Sequence, residues 1–229
     1  MSLEDVFNSK VPKGKVAIAW INSYSCVVIK TQTVTLVFDP VMLDPNKSFH
    51  ADMIIITHEH DDHFAPGLLR KIHSRTNTPV LTSEFIAKRL EGIKTQTLNV
   101  GDRVIIKDIE LYGMHCDHPA NRPLSFLISA SNGIRIYHPS DSKPFADMVF
   151  IRRDFNPDIL LYSGNSLEAA AQIASIIEPC IALSYDSDAE SKQRFLSLMN
   201  ESSSVTQPKM IKKYEIYQYP EEFAHLREY

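Results

Sequence analysis

The segment Thr57 to Phe64, THEHDDHF, puts three histidines and two aspartates into six consecutive positions. It follows directly on the apolar run Met53-Ile54-Ile55-Ile56. The cluster therefore stands where a buried strand runs out into a loop, and such a strand holds the first loop residues rigidly. Neutral imidazole and carboxylate are the nitrogen and oxygen ligands that divalent metals such as zinc prefer. His58 and His60, two residues apart, project to the same side of an extended segment. Asp62 and His63 are adjacent and must point in different directions, which suits a second metal position better than a fourth ligand for the first. The competing reading is a solvated polar loop rich in histidine. It is disfavoured because three of the chain's nine histidines fall here in a fixed pattern.

The elements that position this cluster can be read from the pattern of apolar and turn residues. Short β-rich segments come first, at Val16 to Trp20, Cys26 to Ile29, Val34 to Asp39 and Asp52 to Ile56, each bounded by polar or turn residues. Pro66 to His73 reads as a helix with proline at its start, and Ser83 to Leu90 as another with Ser83 at the N-cap and Gly92 past its end. A second β-rich stretch follows at Arg103 to Ile106, Ile109 to Met114, Leu124 to Ser129 and Ile134 to His138, with the turn signal Ser131-Asn132-Gly133 before the last strand. The C-terminal third alternates strand Ile159 to Leu161, helix Ser166 to Ile177, strand Ile181 to Ser184, helix Ala189 to Leu198 and strand Tyr214 to Tyr217. In its first helix, Leu167, Ala170, Ala171, Ile173, Ala174 and Ile177 share one broad face, the pattern of a helix packed on a sheet. The polar run Asn200 to Gln207 reads as loop.

Composition bounds the remaining possibilities. A chain of 229 residues with 44% hydrophobic content can bury a full core, and a single domain over 1–229 is the economical reading. A net charge of −4 gives no electrostatic footprint for nucleic acid or an anionic membrane. No apolar run approaches the roughly 20 residues of a membrane span, and Met1 to Val16 lacks the apolar core of a signal peptide, so a cytoplasmic location is expected. The three cysteines, Cys26, Cys116 and Cys180, have neither disulfide-framework nor zinc-ribbon spacing. Cys116, although it lies between two histidines, reads as a buried bystander.

The motif HxHxDH after a hydrophobic strand resembles the signature of the metallo-β-lactamase superfamily of metal-dependent hydrolases, and most closely its small intracellular branch of ascorbate-phosphate-lactonase-like enzymes. The resemblance implies an α+β fold, a four-layer αββα sandwich, with His58 and His60 at metal site one and Asp62 and His63 at site two. The third histidine of site one falls in HCDHP, where His118 is favoured over His115 by counting from the turn Gly101-Asp102. The segment YHPSDS resembles the family's YHxGDT, which implies that Asp141 bridges both metals and that His138 supports the site without ligating.

Two segments depart from the pattern. EPCIALSYDSD resembles PKxxIPMHxxT, with Asp186 where site two usually has its last histidine; Asp188 is the alternative if the loop is shifted. WINSYSCVVI resembles WxGHxxFxI, with Asn22 and Ser23 in place of glycine and histidine. With Asp62, Asp141 and Asp186 nearby, three carboxylates offset four metal charges to a net of about +1, which weakens Lewis acidity and raises the pKa of bound water. One or two ions of zinc or manganese are expected, with site two partly filled. The mechanism the resemblance implies is attack by a metal-held hydroxide on a small ester, lactone or phosphoester, with Asp62 as the catalytic carboxylate that orients the nucleophile and carries its proton. Arg122, just beyond His118, and Lys143, just after Asp141, could set two cations at the site rim and favour an anionic small molecule, although ordinary solvated charges are the favoured reading of both. The runner-up is a protein of the same fold that binds metal and a ligand without turnover. Neither a nucleic-acid partner nor a membrane is expected, and the oligomeric state is not written in the sequence.

Overall fold

The N-terminal helix α1 (Leu3–Asn8) is closed by a capping box between Ser2 and Asp5, and the Lys30 ammonium donates to the carbonyls of Val6, Phe7 and Ser9 at its other end. Three runs rich in buried aliphatics follow, β1 (Val16–Trp20), β2 (Val27–Lys30) and β3 (Thr35–Phe38), and pair as an antiparallel meander. The chain then changes mode. Strands β4 (Met53–Ile55), β5 (Val80–Thr82) and β6 (Thr95–Thr97) add in parallel to β3, with helices α2 (Pro66–Thr76) and α3 (Glu84–Ala87) in the crossovers. Parallel strands need such crossovers, whereas antiparallel neighbours need only turns.

The second half repeats this plan. Strands β7 (Arg103–Ile106), β8 (Ile109–His115), β9 (Leu124–Ala130) and β10 (Arg135–His138) form the antiparallel part. Helix α4 (Met148–Phe155), β11 (Ile159–Leu161), α5 (Leu167–Ile177), β12 (Ile181–Tyr185), α6 (Ala189–Ser202) and β13 (Gln207–Ile211) continue it in parallel. Finally β14 (Ile216–Tyr219) returns to pair antiparallel with β1. The two sheets have the orders β14-β1-β2-β3-β4-β5-β6 and β13-β12-β11-β10-β9-β8-β7. This computed structural model describes residues 1–47, 49–162, 166–185, 188–203 and 205–221.

The sheets face each other across a core in which Phe38 meets Phe126 edge-on at 5.6 Å, with Ile18, Ile29, Ile55, Leu111 and Ile136 around them. Helices α1 and α2 bury Leu3, Val6, Leu69 and Ile72 against the outer face of the first sheet. Helices α4, α5 and α6 bury Ile151, Ile173 and Phe195 against the second. The layers are therefore helix, sheet, sheet, helix, the αββα sandwich expected from the sequence. Because β3, β4 and β10 end on one edge, their following loops converge there, the edge at which open α/β sheets place ligands.

Several elements differ from expectation. The run read as loop, Asn200 to Gln207, contains the end of α6 and the first residue of β13, and the last strand lies at Ile216–Tyr219, two residues later than expected. Helix α3 is shorter than Ser83 to Leu90, and Ser83 caps it without a side-chain hydrogen bond. Helices α1 and α4 and strands β5 and β6 carry too weak a pattern to have been read. In β8, Gly113 is required by a neighbour: a Cβ there would lie 2.4 Å from the backbone oxygen of Asn99. Only glycine admits this approach, which tethers the β6–β7 turn to β8 through Gly101 N–H donating to Gly113 O at 2.8 Å.

Among the described residues, no helix is long and apolar enough to cross a membrane.

Candidate metal centre

Strand β4 delivers Thr57 and His58 into a fully buried position, and Asp39, at the end of β3, lies beside them because β3 and β4 pair in parallel. Asp39 is fully buried with φ 46°, in the left-handed region that Asp and Asn tolerate better than most residues. Its Oδ1 accepts from Thr57 N–H at 2.8 Å and its Oδ2 from the Thr57 hydroxyl at 2.8 Å. His63 Nδ1 donates to the same Oδ2 at 2.8 Å. A carboxylate that holds one imidazole nitrogen fixes the ring and turns the other nitrogen outward. His63 Nε2 accordingly stands 3.3 Å from Asp141 Oδ2 and 3.7 Å from Asp62 Oδ2.

The same hydroxyl determines the tautomer of His58. Thr57 Oγ1 has one proton, which goes to Asp39, so at 3.0 Å from His58 Nδ1 it can only accept. The proton of His58 therefore sits on Nδ1, and Nε2 presents a bare lone pair. That Nε2 is buried and has no hydrogen-bond partner, and neither has Asp141 Oδ1. Buried polar atoms are nearly always paired, and two unpartnered acceptors among clustered imidazole and carboxylate ligands fit a bound cation.

Ligand atoms gather around this point in two groups sharing His58: His58, His60 and His118, and His58, His63 and Asp141, each within 4.8 Å of one another. His60 Nδ1 and His118 Nε2 are 3.0 Å apart. The protein charges follow the same geometry. Burial pulls His58 down to about 3, helped by His63, and lowers His118, leaving both neutral. Burial opposes charge on His63 too, but Asp39 and Asp141 outweigh it and push its pKa up to about 10. Burial opposes ionisation of Asp141, and the facing imidazoles, His63 foremost, bring its pKa below the usual value.

Six of the seven expected ligands are described, and five of them, His58, His60, His63, His118 and Asp141, enter these groups. Asp62 stands at their edge, its side chain 37% exposed and its carbonyl bonded by the Ser25 hydroxyl at 2.8 Å. Asp186 lies outside the described residues. Asp188 caps α6 by accepting from Ser191 N–H at 2.8 Å. Of the two histidines in HCDHP, His118 joins the centre; His115 is exposed and packs edge-on against Phe145 at 4.9 Å. His138 is buried against Phe38, and its Nδ1 accepts from Ser140 N–H at 3.2 Å. Cys116 is buried, its thiol pushed up to about 12 by burial, and donates weakly to Pro139 O. The sequence reading missed Asp39, although the FDP at a strand end was its available signal.

A cavity of about 850 Å³ opens beside Asp62 and His63. Its walls include Trp20, Tyr162 and Tyr185, and the Trp20 and Tyr185 rings stack at 5.1 Å. Arg122 and Lys143 do not line it; Arg122 is paired with Glu84 at 2.9 Å. The cations on its wall are Arg194, bound to Glu168, and Lys213, whose ammonium is 3.5 Å from Ser23 Oγ. Lys213 has no carboxylate partner among the described residues. Asn22 shapes the loop below it, donating to Val41 O at 2.9 Å and accepting from Tyr24 N–H and Cys26 N–H.

An αββα sandwich with histidines and aspartates gathered at the carboxyl ends of its central strands defines the metallo-hydrolase class. Residues 17–180 match the Beta-lactamase superfamily domain, and the chain belongs to that family. It is similar to a metal-dependent hydrolase of Methanobrevibacter smithii, 26% identical over an alignment of 166 residues, with 63% of this chain and 68% of the relative covered. A second such hydrolase, of Pyrobaculum islandicum, is 31% identical over 130 residues, 53% of this chain and 56% of the relative. The matched stretches thus span between about half and two thirds of these relatives' lengths. Among solved structures, Igni18, a metallo hydrolase from Ignicoccus hospitalis, shares the fold with a TM-score of 0.74 at 19% identity, covering 90% of this chain and 98% of that one.

Proposed function

We propose that this protein is a hydrolase of small esters, lactones or phosphoesters that works with one or two divalent ions, zinc or manganese. His58, His60 and His118 would hold the first ion, and Asp62, His63 and Asp141 the second, Asp141 facing both and Asp186 completing that side. The observation that carries the reading is the pair of buried, unpartnered acceptors, His58 Nε2 and Asp141 Oδ1, at the meeting point of the two groups. The imidazole-rich group suits zinc, and the carboxylate-richer group shifts preference toward manganese. When bound, such ions supply Lewis acidity and lower the pKa of a coordinated water.

The chain's own groups do the rest. Asp62, part exposed at the cavity floor, accepts the proton of the attacking water and passes it to the leaving group. Asp39 keeps His63 turned toward Asp141 and Asp62. The Trp20 and Tyr185 wall receives the apolar body of the substrate, and Lys213 receives an anionic substituent at the far end.

The test is metal analysis of protein purified without added metal, followed by a hydrolysis screen with zinc or manganese over lactones, carboxylic esters and phosphodiesters. Bound metal and metal-dependent turnover are expected. Asp62→Ala is expected to lower kcat by about 10²–10⁴-fold. Bound metal with no turnover on any substrate would favour a ligand-binding protein of this fold, and absence of metal would end both readings. Within the screen, para-nitrophenyl hydrogen succinate is expected to have a higher kcat/KM than its methyl ester; equal values would remove the anionic preference.

A further inference from the structure

We propose that Glu59, the residue between His58 and His60, is a positioning residue: its carboxylate clasps Asn121 and thereby holds the loop that presents His118 to His60. What the clasp is for rests on the metal-centre reading; the clasp itself rests on hydrogen bonds.

Along an extended segment, side chains alternate between two sides. His58 and His60 turn toward the ligand cluster, and Glu59 reaches to residues 116–123, the loop between β8 and β9. Glu59 Oε1 accepts from the backbone N–H of Asn121 at 2.8 Å and from its side-chain Nδ2 at 2.6 Å. Hydrogen bonds to an ionised acceptor are roughly twice as strong as neutral ones.

The loop has its other ties near its ends. Asp117 N–H donates to Ser142 Oγ at 2.9 Å, and Asp117 O accepts from Lys143 N–H at 2.9 Å. Leu124 N–H donates to Thr57 O at 3.0 Å where the chain re-enters the sheet. Between these ends, Ala120 N–H closes a tight turn on His118 O at 2.8 Å, and Arg122 has φ 52°, a conformation that costs a residue with a side chain some strain. The Arg122 pair with Glu84 ties the loop through a long, flexible side chain, whereas Glu59 holds the loop's own backbone N–H. The middle of the loop therefore depends chiefly on Glu59. The residue that separates two ligands in sequence thus sets the position of the third, and the ordering of His118 is complete before an ion arrives.

Two measurements test this. The first is the zinc dissociation constant by chelator competition. Glu59→Ala is expected to weaken zinc binding by about 10–100-fold, the usual effect of removing a group that orients a ligand. Glu59→Gln keeps the Oε1 acceptor and is expected to restore most of the affinity. A Glu59→Gln variant as weak as Glu59→Ala would overturn the proposal in favour of a pure charge effect. The second is hydrogen exchange of residues 117–122 in metal-free protein, where Glu59→Ala is expected to speed exchange, above all at the Asn121 amide. Unchanged exchange overturns the clasp. If wild type binds no zinc, the metal reading falls, and the exchange measurement still decides for or against the clasp.

Discussion

Asp39→Asn is expected to leave the fold intact, cost about 1–3 kcal/mol of stability, and weaken metal binding at the His63 side by about 10–100-fold. Asparagine is the informative substitution because it tolerates the left-handed backbone at φ 46° and can still accept from Thr57 N–H through Oδ1. Its Nδ2, however, would face His63 Nδ1 and the Thr57 hydroxyl with protons where Asp39 Oδ2 now accepts two hydrogen bonds. His63 must then take the other tautomer, with its proton on Nε2, the atom that faces Asp62 and Asp141. The Thr57 hydroxyl also loses its acceptor, so the tautomer of His58 is no longer fixed. Asp39→Ala should cost more, about 3–5 kcal/mol, because it leaves a buried imidazole without its counter-charge. Urea unfolding of metal-free protein, together with zinc competition, separates the two effects. Wild-type zinc affinity in Asp39→Asn would show that His63 is oriented by something else.

Removal of metal is expected to lower the thermal midpoint by about 8–16 °C. An ion present at a thousandfold its dissociation constant stabilises a protein by about 4 kcal/mol, and a chain of this size shifts by about 2–4 °C per kcal/mol. The physical source is local. Without an ion, His58 Nε2 and Asp141 Oδ1 are buried acceptors with no donor, and His60 Nδ1 and His118 Nε2 stand 3.0 Å apart. A cation satisfies all of them together. Melting curves with and without chelator measure the effect, and in His58→Ala the chelator shift should shrink, since that histidine belongs to both ligand groups. Equal midpoints in wild type with and without chelator would contradict the metal centre.

The parts of this molecule that could be read in advance are those encoded locally. THEHDDHF carries its chemistry in six adjacent residues, and the β-rich halves announce themselves by aliphatic runs between turns. Elements without a local pattern were lost. Strand β6 is Thr-Gln-Thr, largely exposed, and β13 contains Pro208 between polar residues, tolerable at a sheet edge but loop-like in sequence. Asp39 looks like a turn residue until the parallel register of β3 and β4 brings it against Thr57. Glu59 and Asn121 meet across 62 positions, and Lys213 reaches the cavity from the turn before β14, whereas Arg122 and Lys143, adjacent in sequence to site residues, do not line it. Register and loop return decide such pairings, and neither is written in neighbouring residues.

Trp20 is the chain's single tryptophan, and it lies in the cavity wall, stacked on Tyr185, with its indole N–H held by Tyr24 O. The protein thus carries a built-in optical reporter at its entrance. Indole emission responds to nearby polarity and quenchers, and no second indole dilutes the signal. Titrating candidate molecules while following this one fluorophore would rank occupants of the cavity by affinity before any turnover is known, with no label attached.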